Sequence, residues 1–463
     1  MKSYTFKSFR GGISDYENKG IEGSFKFGKG LNIRKRIDSL SCNYALKHVP
    51  NFSPTGLVRF IVPTRVSNAV YFLASDGKIY EKTSGDPTLK YTDGDGDILG
   101  AAVWYDNSGN TYLYWATSTK LHRKALPGLS DWTDVDATGT FPKTLTASSY
   151  HTMKVINGAL VICNLNYLAY VGYDNSFSAS ALNLIPGYVA KTLLERKKFA
   201  MVGCVRDDQI DESAVFSWDT DSNTWNDKQI YPVNGVNAMI DTDLPLMQLG
   251  SNGAIFLNDM TNLLPLFTIP TGGKVDPDAC TSDNGLALFG VYGNTSGYSG
   301  VYSYGHKQRN HPVVLNLEYP ITCDQIGSVS RVGTDMYVSY KVGSSYYVDQ
   351  IDTTALQTAE YYSLDLMPDH KFQQRPVWSG CVLTTAALPA SCKIEVWYKL
   401  DKNGNFIQAK LEGGATQFTT TGAMEAVFLF AEPAKIVELY AKLIPSGTST
   451  PEIYKMDPLV AIP

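Results

Sequence analysis

The chain has 463 residues, a formal charge of −5, 44% hydrophobic and only 18% charged residues, with 39 Gly, 29 Tyr and 19 Phe. It is long enough to bury a large core in more than one domain, and too apolar and aromatic to be disordered. No run reaches the roughly 18 uncharged apolar residues of a membrane helix, and the start, Met1 to Lys7, lacks the apolar centre of a signal peptide.

Residues 1–50 carry ten Lys/Arg against four Asp/Glu, a local charge of +6 on a body of −11. Phe6, Phe9, Gly11-Gly12-Ile13, Phe25, Phe27, Gly28 and Gly30 give this stretch its texture, and Ser24 to Phe27 alternate as one short strand. The glycines exclude a helix, and the apolar content is too small for a core of its own. The stretch is therefore a basic extended arm, either a tether lying on its own domain or an arm reaching another subunit of complementary charge. Its scattered cations form no known nucleic-acid motif, so sequence-specific nucleic-acid binding is not expected.

Residues 51–371 alternate short strands with turn signals. Ala69–Leu73, Ser75-Asp76-Gly77 and Lys78–Glu81 make one strand-turn-strand unit; Asn110–Trp115, Thr117–Thr119 and Lys120–Arg123 make the next. Met153 to Ile162 followed by Asn166–Tyr170 makes a third, and similar strands recur at Ala214–Trp218, Gly253–Leu257, Gly300–Tyr304 and Ser345–Val348. Anchoring on Tyr80, Leu121, Leu168, Phe216, Ile255, Tyr302 and Tyr347 gives spacings of 41, 47, 48, 39, 47 and 45. Such spacing matches one four-stranded propeller blade and predicts an all-β propeller of about seven blades, a ring that leaves no long open edge. Six or eight blades, or an array of unrelated sandwiches, fit the same spacing.

Residues 372–463 read as a small β-sandwich or jelly roll. Lys393–Leu400 alternates with period two before a turn at Asp401–Gly404, with Asn403-Gly404 as the hairpin signal. Ala426–Phe430 and Ile436–Leu443 are further strands. The first strands of this stretch could instead complete the propeller.

Chemistry-bearing motifs are sparse. The seven cysteines (42, 163, 204, 280, 323, 381, 392) form no CxxC or CxxH pair, which points to buried thiols made in a reducing compartment. Histidines 48, 122, 151, 306, 311 and 370 are scattered and read as loop or surface residues, with His122 partly exposed on an outer strand. Asp93-Gly94-Asp95-Gly96-Asp97 has carboxylates at alternate positions like a calcium loop, yet the twelfth position is Trp104 rather than Glu. An acidic hydrated turn is the simpler reading there, leaving Asp93, Asp95 and Asp97 as weak metal candidates; Asp207-Asp208, Asp211-Glu212 and Asp219-Thr220-Asp221 read likewise. P-loop, GxSxG and HExxH patterns are absent, and no cofactor is expected.

Phe9-Arg10-Gly11-Gly12-Ile13-Ser14-Asp15-Tyr16 and Gly28-Lys29-Gly30-Leu31-Asn32-Ile33-Arg34 resemble the N-terminal arms of virion proteins of tailed bacteriophages. The propeller-like body is similar to tail accessory and hub proteins of that group. The end, Ile394–Leu400 with Thr450–Tyr454, resembles a small C-terminal β-sandwich found in some of them. The resemblance implies a non-enzymatic structural component of the virion, made in the host cytoplasm, that joins portal or tail tube to other tail parts in several copies around an axis. It implies portal, tail or capsid proteins and further copies of the chain as partners, with no membrane. Phe6, Phe9, Arg10, Phe25, Phe27, Lys29, Arg34 and Arg36 are then the assembly-arm residues. Two other readings compete. One is a glycan-binding or glycoside-hydrolysing propeller, with Trp104, Trp115, Trp218, Trp225 and Trp397 stacking on sugar rings. The other is a capsid surface or decoration protein.

Overall fold

The computed structural model describes residues 2–3, 8–9, 11–14, 23–33, 38–127, 140–208, 211–259, 262–283, 285–295, 297–306, 313–367 and 375–461. Its regular elements are β-strands throughout, with one short 3-10 turn at Val66–Asn68 and no α-helix among the described residues. Two compact units emerge: Met1–Lys47 with Val301–Pro320 and Ile351–Pro463, and His48–Gly300 with Ile321–Gln350.

The larger unit is a series of antiparallel meanders. Val58–Pro63, Val70–Ala74, Lys78–Lys82 and Thr88–Thr92 form the first sheet; Gly100–Tyr105, Thr111–Ala116, Lys120–Leu126 and Lys143–Thr144 the second. Met153–Ile156, Ala159–Asn164, Tyr167–Val171 and Phe177–Asn183 follow, then Tyr188–Arg196, Phe199–Arg206, Ser213–Trp218 and Asp227–Tyr231. Val236–Ile240, Leu246–Leu249, Ala254–Asn258 and Leu263–Thr268 make the fifth. Beyond these, Cys280–Asp283 pairs with Leu286–Val291, and Gln325–Val332 with Asp335–Val342, which pairs in turn with residues 345–350.

Each meander's first strand packs against the first strand of the next, and Gln325–Val332 returns to Val58–Pro63. A ring of meanders closed through their first strands is a β-propeller. Burial explains why these sequences choose it. Strands such as Val70–Ala74, Ala159–Asn164 and Ser213–Trp218 are buried on both faces and read as continuous apolar runs, whereas the outermost Thr88–Thr92 and Asp227–Tyr231 mix polar with apolar residues and are more exposed. Successive sheets share cores: Leu113 and Trp115 pack with Leu73 and Ile79, and Phe216 and Trp218 with Leu168 and Leu182. The last and first sheets meet through Phe72, Phe52 and Tyr337, with Phe72 and Tyr337 edge to face at 5.6 Å. Here Val49 N–H donates to Val348 O at 2.9 Å, tying the start of the unit to its end. Gly327 lies so close to this seam that a Cβ would stand 2.4 Å from Val58 O.

Among the described residues the second unit holds two large sheets and the short parallel pair Gly12–Ile13 with Ser24–Phe25. In one, the arm strand Phe27–Lys29 lies between Val314–Pro320, parallel, and Ala359–Tyr362, antiparallel, followed by Val437–Ile444, Lys393–Leu400 and Asn403–Gln408. The other runs Lys2–Ser3, Ile453–Ala461, Val377–Thr385, Glu425–Pro433, Lys410–Leu411. Ile394, Val396 and Tyr398 alternate into the core as their period-two pattern requires, and Trp378, Phe428 and Tyr361 join them.

Several expectations change. The arm is no separate segment, because Phe27–Lys29 is an internal strand; the boundaries expected at residues 50 and 371 shift to 47 and 350, with 301–320 added to the same unit. The arm strand is also two, Ser24–Phe25 and Phe27–Lys29. The run from Met153 to Ile162 is a hairpin, since Asn157 and Gly158 both take positive φ (47° and 79°), the twist a two-residue turn needs. Likewise Leu400 pairs with Asn403, so the tight turn is Asp401-Lys402 (φ 46° and 61°), and Asn403-Gly404 opens the next strand.

Candidate functional site at the mouth of the propeller channel

The first strands line the axis of the ring, and four of them carry a register irregularity at one interior residue. Pairing skips Arg59 between Val58 and Phe60, Lys191 between Ala190 and Thr192, Asn237 between Val236 and Ala238, and Gly327 between Ile326 and Ser328. A bulge sets two residues against one, bends its strand and re-aims the extra side chain. At one end of the axis Arg59 and Gly327 border a cavity of about 510 Å³, together with Asp97, Tyr150, Lys274, Asp276, Asp278, Tyr292 and Gln325.

The groups on this wall and those packed behind it divide into two sets. Lys191 Nζ donates to Asn237 Oδ1 at 2.7 Å and lies 5.0 Å over the Tyr150 ring; Asn237 Nδ2 donates to Gln248 Oε1 at 2.7 Å. Tyr292 Oη and Gln325 Nε2 both donate to Asp276, the latter at 2.7 Å. These groups hold one another. Arg59 is only loosely paired, 3.7 Å from Asp97. Asp278, reached from this cavity and from a second of about 300 Å³ beside Lys154 and Cys280, makes no side-chain hydrogen bond among the described residues. Burial pushes the Asp278 carboxyl up to about 6 against the opposing pull of Lys154, and pushes the Lys191 ammonium down to about 8. The Cys280 thiol is pushed up to about 12 by burial, so it is no ready nucleophile.

The acidic loop resolves differently from its sequence reading. Asp93 and Asp95 come together with His122 rather than with Asp97: their ligand atoms lie within 4.8 Å of one another, while Asp97 faces Arg59. His122 is fully buried, not partly exposed, because it stands on Lys120–Leu126 opposite Trp115, stacked on that indole at 5.3 Å and 7°. Its Nε2 is 3.6 Å from Asp93 Oδ2 and 3.5 Å from Asp95 Oδ2. The carboxylates are already answered, Asp93 by Trp115 Nε1 at 2.6 Å and Asp95 by Lys120 Nζ at 2.8 Å. Three ligand atoms of this kind could take a cation only by displacing that ammonium. His151 is also fully buried, bonded to Cys163 O and Ser118 O, against the surface reading of the histidines. Asp219 caps its own turn through Ser222 and Asn226, and Asp208 pairs with Arg206.

Phe6, Arg10, Arg34 and Arg36 lie outside the described residues. Phe9, Phe25 and Phe27 are buried within their own unit, the first two against Tyr361 at 5.4 and 5.5 Å, and Lys29 pairs with Glu360 at 3.2 Å. Trp104, Trp115 and Trp218 are core residues and offer no face to a sugar; Trp397 is half-buried and stacks on Tyr440 at 4.6 Å. The channel-mouth residues went unnoticed in the sequence, where the available signal was a polar residue breaking an apolar first strand.

No protein-family model and no curated protein matches the chain. Among solved structures it is similar to the WD40 β-propeller domain of Doa1, at 13% identity and TM-score 0.46, over 66% of this chain and 97% of that one. It is also similar to the β-propeller domain of Myceliophteria thermophila Cps50 (Swd1), at 8% identity and TM-score 0.45, over 65% and 98%. The computationally designed Ika8 protein matches at 9% identity and TM-score 0.38, over 69% and 87%.

Proposed function

We propose that the chain is a non-enzymatic structural component of a tailed-phage virion, a tail or portal-proximal adaptor whose two units are a seven-bladed propeller and a β-sandwich. The blade count follows the first strands, which begin at residues 58, 100, 153, 188, 236, 280 and 325. The sandwich reading follows the two sheets of the second unit and their shared apolar residues. The virion reading is supported by the likeness of residues 9–16 and 28–34 to phage arms.

The observation that carries an adaptor role is the outer rim of the propeller. Leu89, Ile230 and Leu264, all on outermost strands, are 52%, 51% and 43% exposed. Outermost strands are the unpaired edges of their sheets, and proteins ordinarily defend such edges with charge or proline. Apolar side chains there fit contacts with neighbouring proteins. Cryo-electron imaging of the native particle tests the proposal. Several copies around the portal-to-tail axis, with these outer strands in contacts, are expected; absence of the chain from purified particles defeats it.

A further inference from the structure

Beyond that adaptor role, we infer that the channel mouth binds a small polyhydroxyl ligand, one or two sugar units in size, between Arg59, Tyr150, Lys274, Asp278 and Gln325. The volume of about 510 Å³ falls within the range of small-ligand sites. Its wall is built. Bulges on separate strands bring Arg59, Lys191 and Asn237 to the axis, and the Lys191–Asn237–Gln248 and Tyr292–Asp276–Gln325 networks fix the surface.

What that wall leaves over decides the ligand. Among the described residues neither the Asp278 carboxylate nor the Tyr150 hydroxyl is held by a hydrogen bond; the Arg59 guanidinium is only loosely engaged at 3.7 Å. The ionisable groups lining the cavity mix both signs, Arg59 and Lys274 with Asp97, Asp276 and Asp278, and Lys191 and Lys154 stand close behind Tyr150 and Asp278, so neither a phosphate nor a free cation meets a surface of one opposite sign. An apolar ligand would strand these groups without partners. Vicinal hydroxyls, each able to donate and accept, satisfy carboxylate, phenol and guanidinium at once without adding charge. The Tyr150 and Tyr292 rings already carry Lys191 and Lys274 over them, so recognition rests on hydrogen bonds more than on ring stacking.

Saturation-transfer NMR and calorimetry on the full chain would use glucose, galactose, N-acetylglucosamine, maltose, lactose and cellobiose, with inorganic phosphate and calcium chloride as controls. At least one sugar should bind with Kd of about 10 mM or tighter. That affinity should fall at least tenfold in Asp278→Asn and in Arg59→Ala, and stay unchanged in Asp174→Asn, an exposed carboxylate that caps its own turn at Ser176 and is no part of the cavity lining. Asp278→Asn replaces an unbonded carboxylate with a neutral group of the same shape, so its fold serves as its own control by thermal melting. No sugar binding, sugar binding that survives both variants, or tighter binding of phosphate than of any sugar would each overturn the inference. None of these outcomes bears on whether the chain is found in a particle.

Discussion

Two clusters of ionisable groups in the propeller, each partly withdrawn from water, are built on opposite plans. Around His122 both carboxylates have their answers: Asp93 meets the Trp115 indole, Asp95 meets Lys120, and the imidazole stands within 3.6 Å of each under a stacked ring. Around Asp278 the neighbours Asp276, Tyr292, Gln325, Lys191 and Asn237 satisfy one another and leave the central carboxylate without a bond. A closed network contributes to holding a fold. An open one weakens it and persists where something else supplies the missing partner. The difference separates a structural knot from a site better than residue type does, since the knot has the more metal-like composition.

The largest expected effect breaks the knot. Asp93→Ala removes the Trp115 acceptor and leaves a buried histidine beside one carboxylate; losing one member of a buried charged network costs about 3–5 kcal/mol. Urea denaturation of the variant should show that loss, and a cost below about 1 kcal/mol would mean that the network holds little together. Asp278→Asn should act in the opposite direction. Its folded carboxyl titrates near 6 rather than 3.8, so the folded state holds the proton more tightly than the unfolded one. That stabilising contribution is complete below pH 3.8 and is lost as pH rises through about 6, on the order of 2–3 kcal/mol. The variant should therefore be the more stable protein at pH 8 and match the parent near pH 3.5. Equal stability at pH 8 would show that Asp278 is answered after all, and the contrast between the clusters would dissolve.

A third change asks whether the open cluster sits on a rigid frame. Gly327→Ala places a methyl 2.4 Å from Val58 O and 2.9 Å from Leu57 Cγ, at the seam where the ring closes. Overpacking of backbone against backbone should cost about 1–3 kcal/mol, and a neutral result would mean the seam gives way readily.

How much of this was readable beforehand follows from strand position. Tyr80, Leu121, Leu168, Phe216 and Ile255, the anchors of the repeat, all fall on third strands of their sheets, and Tyr347 on the matching strand after Asp335–Val342. Each of these strands sets a buried apolar or aromatic residue a few positions after a polar or glycine turn, so they announce themselves. The arm's place inside a sheet was illegible because Phe27–Lys29 pairs with residues nearly 300 and more than 300 positions away, and nothing local in the sequence specifies such partners. His122 misled because a lone histidine after Lys120-Leu121 looks like an edge residue; only its register with Trp115 shows that it is interior. The channel site was hidden for a related reason. Arg59, Lys191 and Asn237 are ordinary polar letters within apolar strands, and whether such a residue faces solvent, a neighbouring sheet or the axis depends on a one-residue bulge that alternation cannot locate.

The smallest expected effect tests whether the knot owes its strength to its buried members alone. Lys120 reaches Asp95 with both partners substantially exposed, at 44% and 31% of their side-chain surface. Solvent screens such a pair, so Lys120→Ala should cost no more than about 1 kcal/mol, and less in high salt. Removing the ammonium also uncovers the Asp95 carboxylate next to His122, so a cation there no longer has to displace a lysine. Titrating the Lys120→Ala variant with zinc while following its melting temperature separates two origins of the closed plan. An unchanged melting temperature is expected if the imidazole and the Trp115 indole are what satisfy the carboxylates. A rise in the variant but not in the parent would show instead that the lysine is what keeps this cluster from being a metal site.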